Sequence, residues 1–158
     1  MWFMGVNNLT YSTSGLALTE QFEGCCLAAY QDQAGVWTIG YGHTGSDVKQ
    51  GMTITSAQAQ ALLSKDVQSA AACVNNVVAV QLTQEEFDAL VDFVFNLGAG
   101  AFSGSTMLRE LNAGDFAGAA AQFDQWDHAG GVVVAGLLRR RQAEADLFGS
   151  DDGSTESA

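Results

Sequence analysis

The chain has 158 residues, 47% hydrophobic and 15% charged, which supplies a buried core and excludes a disordered chain. Six basic against eighteen acidic residues give a formal net charge of -12, and a phosphate-backbone binder needs a basic stripe, so nucleic acid is not expected as a partner. Glycine is frequent without a three-residue period, proline is absent, and three cysteines are too few for a disulfide scaffold.

No segment approaches the roughly 18–20 continuous apolar residues of a membrane helix, so no membrane span is expected. Residues 1–19 carry no Lys or Arg, and Asn7, Asn8, Ser12 and Ser14 break their apolar runs. The charged and apolar regions of a signal peptide are missing. The expectation is a monomer made in the cytoplasm.

The first helical spacing covers Leu16, Leu18 and Phe22, with Ser14 as the predicted N-cap and Gly24 as the stop. From Leu27 to Thr44 the residues turn aromatic and β-branched, punctuated by Gly35, Gly40 and Gly42, which predicts short strands and a hairpin. A loop follows from Gly45 to Met52. Thr55 and Gln58 form a capping box opening one long helix, whose face carries Ala59, Leu62, Leu63, Val67, Ala70, Val74 and Val77. Thr83 and Glu86 form a second box ahead of Phe87, Leu90, Val91, Val94 and Phe95, with Gly98 as the stop. Shorter helices are predicted over 105–112, 115–126 and 136–148. The acidic tail 149–158 has no bulky apolar residue and is expected to be disordered.

Two carboxylates stand out. Glu23 closes the first helix, where the negative end of the macrodipole disfavours its charge. Phe22, Leu27 and Trp37 would dry the same place. Those conditions suit a general acid, although a helix-end Glu is more often merely solvated. Asp32 lies in Gln31-Asp32-Gln33-Ala34-Gly35, where an Asx-turn is the plain reading. Thr38 follows on the returning strand. The helix end, the turn and the strand must fold close together.

Phe22-Glu23-Gly24, Ala29-Tyr30-Gln31-Asp32 and Thr38-Ile39-Gly40-Tyr41-Gly42-His43-Thr44 resemble the active-site segment of T4-type phage lysozymes, glycoside hydrolase family 24. Phe95-Asn96-Leu97-Gly98, Trp126 with Ala129-Gly130-Gly131, and Gly136-Leu137 with Arg139-Arg140-Arg141 extend the resemblance towards the lambdoid-phage endolysins, from about Gly15 to Phe148. The resemblance implies an α+β, lysozyme-like fold in a single domain over 1–148. A small β-hairpin lobe (24–54) and a larger helical lobe (78–148, packed with helix 14–23) would be joined by the long helix 55–77, with the active site in the cleft between.

It also implies an endolysin-type muramidase cutting the β-1,4 bond between N-acetylmuramic acid and N-acetylglucosamine in peptidoglycan, with inversion. It would act on the cell wall after release, with glycan strands as partner and neither cofactor nor metal. A catalytically weak peptidoglycan-binding module and a lytic transglycosylase are the alternatives. By the resemblance Glu23 is the acid, Asp32 handles water and Thr38 helps hold it. Gly40, Tyr41, Phe95 and Asn96 would touch substrate, and His43 would pair with Asp66. Arg139, Arg140 and Arg141 read as a solvated, ion-paired face, or as the source of one arginine reaching Glu23. Trp126 reads as a buried anchor. Cys25 and Cys26 read as free thiols and Cys73 as buried, with a bridge from Cys73 to that pair left open because it needs Cα atoms within about 7 Å.

Overall fold

The computed structural model describes residues 6–129 and 131–150. Gly130 and the acidic tail from 151 onward lie outside them. Contacts divide the chain into two compact units, one from Leu16 to Gln68 and the other joining the residues up to Gly15 with those from Ser69 onward. The sequence reading attached the first helix to the helical lobe; contacts group it, from Leu16, with the sheet.

Helix α1 runs Thr13–Glu23. Its cap is Ser12 rather than Ser14: the Gly15 N–H donates to Ser12 Oγ at 3.1 Å. That is the N-cap to N3 bond, so the helix starts two residues earlier than the apolar spacing suggested. Strands β1 (Cys26–Gln31), β2 (Trp37–Gly40) and β3 (His43–Thr44) form an antiparallel sheet in that order. Tyr30 faces Thr38 across β1 and β2, and Ile39 faces His43 across β2 and β3. The segment 52–54 lies along β1, with Ala29 N–H donating to Met52 O and Ile54 N–H to Leu27 O, each at 2.9 Å.

Helix α2 (Ser56–Asp66) opens on the complete Thr55–Gln58 capping box. It packs on β2 and β3. Ile39, Val48, Ala59, Leu63 and Val67 are the buried hydrophobics of this unit, each large one contributing about 1.5–3 kcal/mol. The predicted long helix is divided. Val67 ends α2 as its C-cap, and α3 runs Gln68–Val77. Apolar periodicity continues through the break because Val67 keeps helical dihedrals, so the pattern carried no sign of it.

In the other unit, α4 (Gln84–Leu97) is the central helix, begun by the Thr83–Glu86 box and ended at Gly98 with φ +100°. Then come α5 (Ala99–Ser103), α6 (Thr106–Asn112), α7 (Phe116–Ala121), a 3-10 turn (Phe123–Trp126), the hairpin β4 (His128–Ala129) and β5 (Val132–Val133), and α8 (Ala135–Phe148). Phe93 of α4 sits edge-on to Phe102, Phe123 and Trp126, with centroids 6.1, 5.6 and 5.7 Å away. Trp126 is thus a packing anchor. Asp88 holds the N-terminal segment: its carboxylate accepts from the Ser12 N–H and hydroxyl and from Gln84. Among the described residues no helix is long and apolar enough to cross a membrane.

Candidate active site

Glu23 is the last residue of α1, and Gly24, with φ +69°, turns the chain into β1. Glu23 is half-buried. Its Oε1 lies 3.3 Å from where a Cβ on Gly42 would stand. Gly42 has φ +83° in the turn between β2 and β3, so a bare backbone approaches the carboxylate there. The neighbouring Tyr41 phenol is pushed up in pKa by burial, then by the Glu20 charge and by contact with the Cys25 thiol.

Asp32 makes the Asx-turn. Its Oδ1 accepts from the Ala34 and Val36 N–H groups at 2.8 and 2.9 Å. Both bonds fall on one oxygen, leaving Oδ2 for solvent chemistry. Thr38 is buried, and its hydroxyl donates to the Val36 carbonyl at 3.0 Å. That carbonyl also accepts from the Asp32 N–H at 2.9 Å. One peptide residue therefore fixes both side chains.

Tyr30 draws the set together. It faces Thr38 in register, so both side chains lie on one face of the sheet. Its phenol pKa is raised by burial first, then by the charges of Cys26, Asp32 and Glu23. The sequence reading did not name Tyr30 as a site residue. Its signal was cross-strand register, which spacing alone does not supply.

His43 Nδ1 lies 2.7 Å from Asp66 Oδ2, which joins β3 to the end of α2. Its Nε2 lies 3.0 Å from Asp47 Oδ2, a second partner the sequence reading missed. Burial alone would lower the His43 pKa, but the hydrogen bonds and charges of Asp66 and Asp47 outweigh it and raise it.

Residues 20–144 match the pattern of the phage lysozyme family. The chain belongs to that family. The endolysin of Acyrthosiphon pisum secondary endosymbiont phage 1 is 45% identical over 143 residues, 88% of this chain and 97% of that protein. The muramidase domain of SpmX from Asticaccaulis excentricus superposes with a TM-score of 0.86 at 41% identity, covering 91% of this chain and all of that one. A P22 lysozyme mutant gives 0.85 at 40% identity, over 90% of this chain. The fold is lysozyme-like and the protein is a lysozyme-type hydrolase.

Other residues of this lysozyme are placed as follows. Gly40 is buried, and its α-carbon side meets Ile54 and Ala59, with contacts of 3.4 and 3.5 Å awaiting any Cβ. That is a packing position. Phe95 packs against the helical core, and the Asn96 side-chain oxygen is buried without a hydrogen-bond partner among the described residues. The arginine run is divided: Arg139 is exposed, whereas the ion pairs of Arg140 and Arg141 lie inside the protein rather than on a solvated face. Arg140 and Arg141 are buried. Arg140 donates to both Asp92 oxygens at 2.9 and 2.8 Å. Arg141 Nη2 donates to Glu144 at 2.8 Å and its guanidinium lies 5.2 Å from the Phe93 ring centroid. The Arg141 Nε–Glu144 Oε1 contact of 2.6 Å is an ion-pair contact that lacks hydrogen-bond alignment. Burial pushes the Glu144 carboxyl well up in pKa, the neighbouring Asp92 adds to this, and Arg141 opposes it. Cys25, Cys26 and Cys73 are free thiols. Cys73 is half-buried rather than buried, and desolvation raises its pKa.

Proposed function

We propose that the protein hydrolyses the β-1,4 bond between N-acetylmuramic acid and N-acetylglucosamine in peptidoglycan, with Glu23 as general acid and Asp32 directing water. The observation that carries this reading is geometric: Glu23 Oε1 lies against the bare Gly42 backbone of the β2–β3 turn, while Asp32 and Thr38 in the same hairpin are both bonded to Val36. Glu23 gives its proton to the departing glycosidic oxygen. Asp32 uses the oxygen its turn leaves free to orient or deprotonate water on the opposite face of the sugar. The Thr38 hydroxyl, whose hydrogen is committed to Val36, accepts a bond from that water. Water attacks the anomeric carbon from the face opposite the departing oxygen as the glycosidic bond breaks, which gives inversion; one water proton passes to Asp32 and the other stays on the new hydroxyl.

Tyr41, beside Glu23 and the β2–β3 turn, offers an apolar face to a sugar ring. The cell wall is the place of action. The test is digestion of purified peptidoglycan by the wild-type protein and by Glu23→Gln. Wild type is expected to release muropeptides heavier by one water, with the α-anomer formed first, and the variant to lose about 100-fold or more in rate. Anhydro products mean a lytic transglycosylase. Binding without cleavage by either protein means a wall-binding module. Equal cleavage by both removes Glu23 from the acid role.

A further inference from the structure

The unit from Leu16 to Gln68 carries a second concavity. A cavity of about 360 Å³ is lined by Asp47, Met52, Ile54, Gln58, Ala61, Leu62 and Lys65. One wall is α2, where residues 58, 61, 62 and 65 recur at helical spacing. These residues are exposed or half-buried, unlike Ala59 and Leu63 on the buried face of the same helix. The other wall is the 52–54 segment, held to β1 by the bonds at Ala29 and Ile54. The floor is apolar. The charged lining groups are one carboxylate, Asp47, and one ammonium, Lys65.

We propose that this cavity binds the zwitterionic end of a peptidoglycan stem peptide. The free amine of a diamino residue meets Asp47, the terminal carboxylate meets Lys65, and the intervening aliphatic chain lies on Met52, Ile54, Ala61 and Leu62. The inference rests on the peptidoglycan reading above and deepens it. Charge complementarity selects the occupant: an anion alone meets Asp47, a cation alone meets Lys65, and a neutral sugar leaves both charges unused. The volume suits a peptide end of about two residues. Occupancy is also coupled to His43, because the Asp47 carboxylate that would hold the peptide amine is the one bonded to the imidazole.

The probe is the N-acetylated tetrapeptide L-alanyl-γ-D-glutamyl-L-lysyl-D-alanine, titrated into the full chain and followed by amide and imidazole NMR. Shifts are expected at Asp47, Met52 to Ile54, Gln58 and Ala61 to Lys65, saturating in the millimolar range, with a fall in the His43 pKa. C-terminal amidation of the peptide, Lys65→Gln, and Ala61→Trp, which fills the cavity, should each weaken binding by about fivefold or more. Ala61 and Lys65 are exposed, so both variants are expected to fold, as thermal unfolding will show. Cleavage of intact strands relative to amidase-stripped strands should fall by a similar factor in Ala61→Trp. No shift at about 20 mM peptide, shifts centred elsewhere, or an unchanged cleavage ratio with unchanged peptide affinity overturns the proposal. Saturable binding here by a protein that cuts neither glycan keeps the cavity assignment and sinks the catalytic one.

Discussion

Oε1 of Glu23 stands 3.3 Å from the empty Cβ position of Gly42. The carboxyl and the β2–β3 turn are in contact because residue 42 has no side chain. Gly42→Ala would put a methyl against the oxygen at a φ of +83°, a conformation costing a non-glycine residue about 1–2 kcal/mol. Stability should fall by about that amount. The cleavage rate should fall further than this loss explains, because relieving the crowding moves the acid. Melting temperature and peptidoglycan clearing, measured on the same preparation, separate the two effects.

Asp32 has two duties, and substitutions should part them. Asp32→Asn keeps an oxygen to accept from Ala34 and Val36, so the turn should survive with a melting temperature near wild type. Its rate should drop by about 100-fold or more, since an amide takes no proton from water. Asp32→Ala loses both backbone bonds as well and should also destabilise, by about 1–2 kcal/mol. An Asn variant with wild-type clearing would leave Asp32 only its turn.

What could be read from the sequence was what is local. Both capping boxes, Thr55 with Gln58 and Thr83 with Glu86, are complete in the structure, because four consecutive residues contain the whole interaction. The placement of Glu23 at a helix end, Asp32 in a turn and Thr38 on the returning strand could be read for a similar reason, since the three are neighbours in the chain. The five-residue α5 and the hairpin at 128–133 have too few residues for a periodic signal. Burial of Arg140 was hidden because its acceptor Asp92 lies 48 residues away, and a triple arginine reads as surface until partners of that kind are known. Ser12 lost the cap to Ser14 in the reading because apolar spacing begins only at Leu16.

The His43 pair sets a pH window. The folded His43 pKa lies above the usual imidazole value, despite burial, through Asp66 and Asp47. Its contribution should be fully present below about pH 6.5 and be lost as pH rises through the folded value. The exposed Asp47 has a lowered pKa from its bond to His43, so its part is present above the usual carboxylate range and lost on acidification through the lowered value. Denaturant midpoints across pH 5–9 should decline on the alkaline side in wild type and decline less steeply in His43→Ala, which should cost about 1–3 kcal/mol at pH 6. An unchanged alkaline slope in the variant would assign the decline to other groups.

The buried ion cluster of the helical unit should behave asymmetrically. Asp92→Ala strips Arg140 of its bidentate acceptor inside the core and is expected to cost about 3–5 kcal/mol. Replacing both charges, as Asp92→Leu with Arg140→Met, should recover most of that loss, because two desolvation penalties disappear together. Glu144, whose folded pKa is raised well above the usual carboxylate range, makes the protein less stable as pH rises from the unfolded value through the folded one. Glu144→Gln should remove that slope. Equal instability of the single and double variants at 92 and 140 would show that packing, rather than charge, dominates there.

Net charge opposes the encounter with an anionic wall. At -12 the protein and its substrate repel over a distance set by the Debye length, about 30 Å at 0.01 M salt and about 10 Å at 0.1 M. The barrier lies in association, so kcat/KM carries the effect and kcat does not. Clearing of permeabilised Gram-negative cells at limiting enzyme should therefore rise as sodium chloride goes from about 10 to about 100 mM. Beyond that the curve should flatten, since added salt then screens little further repulsion. Reducing the charge at exposed acids away from Glu23, Asp32 and Asp47, for example Asp115→Asn with Asp124→Asn, should shift the rise to lower salt. Asp115 caps α7 through Gly118, and asparagine retains that acceptor, so the fold should persist. A steep fall in activity over the same salt range would mean that a local cationic surface, rather than net charge, governs approach to the wall.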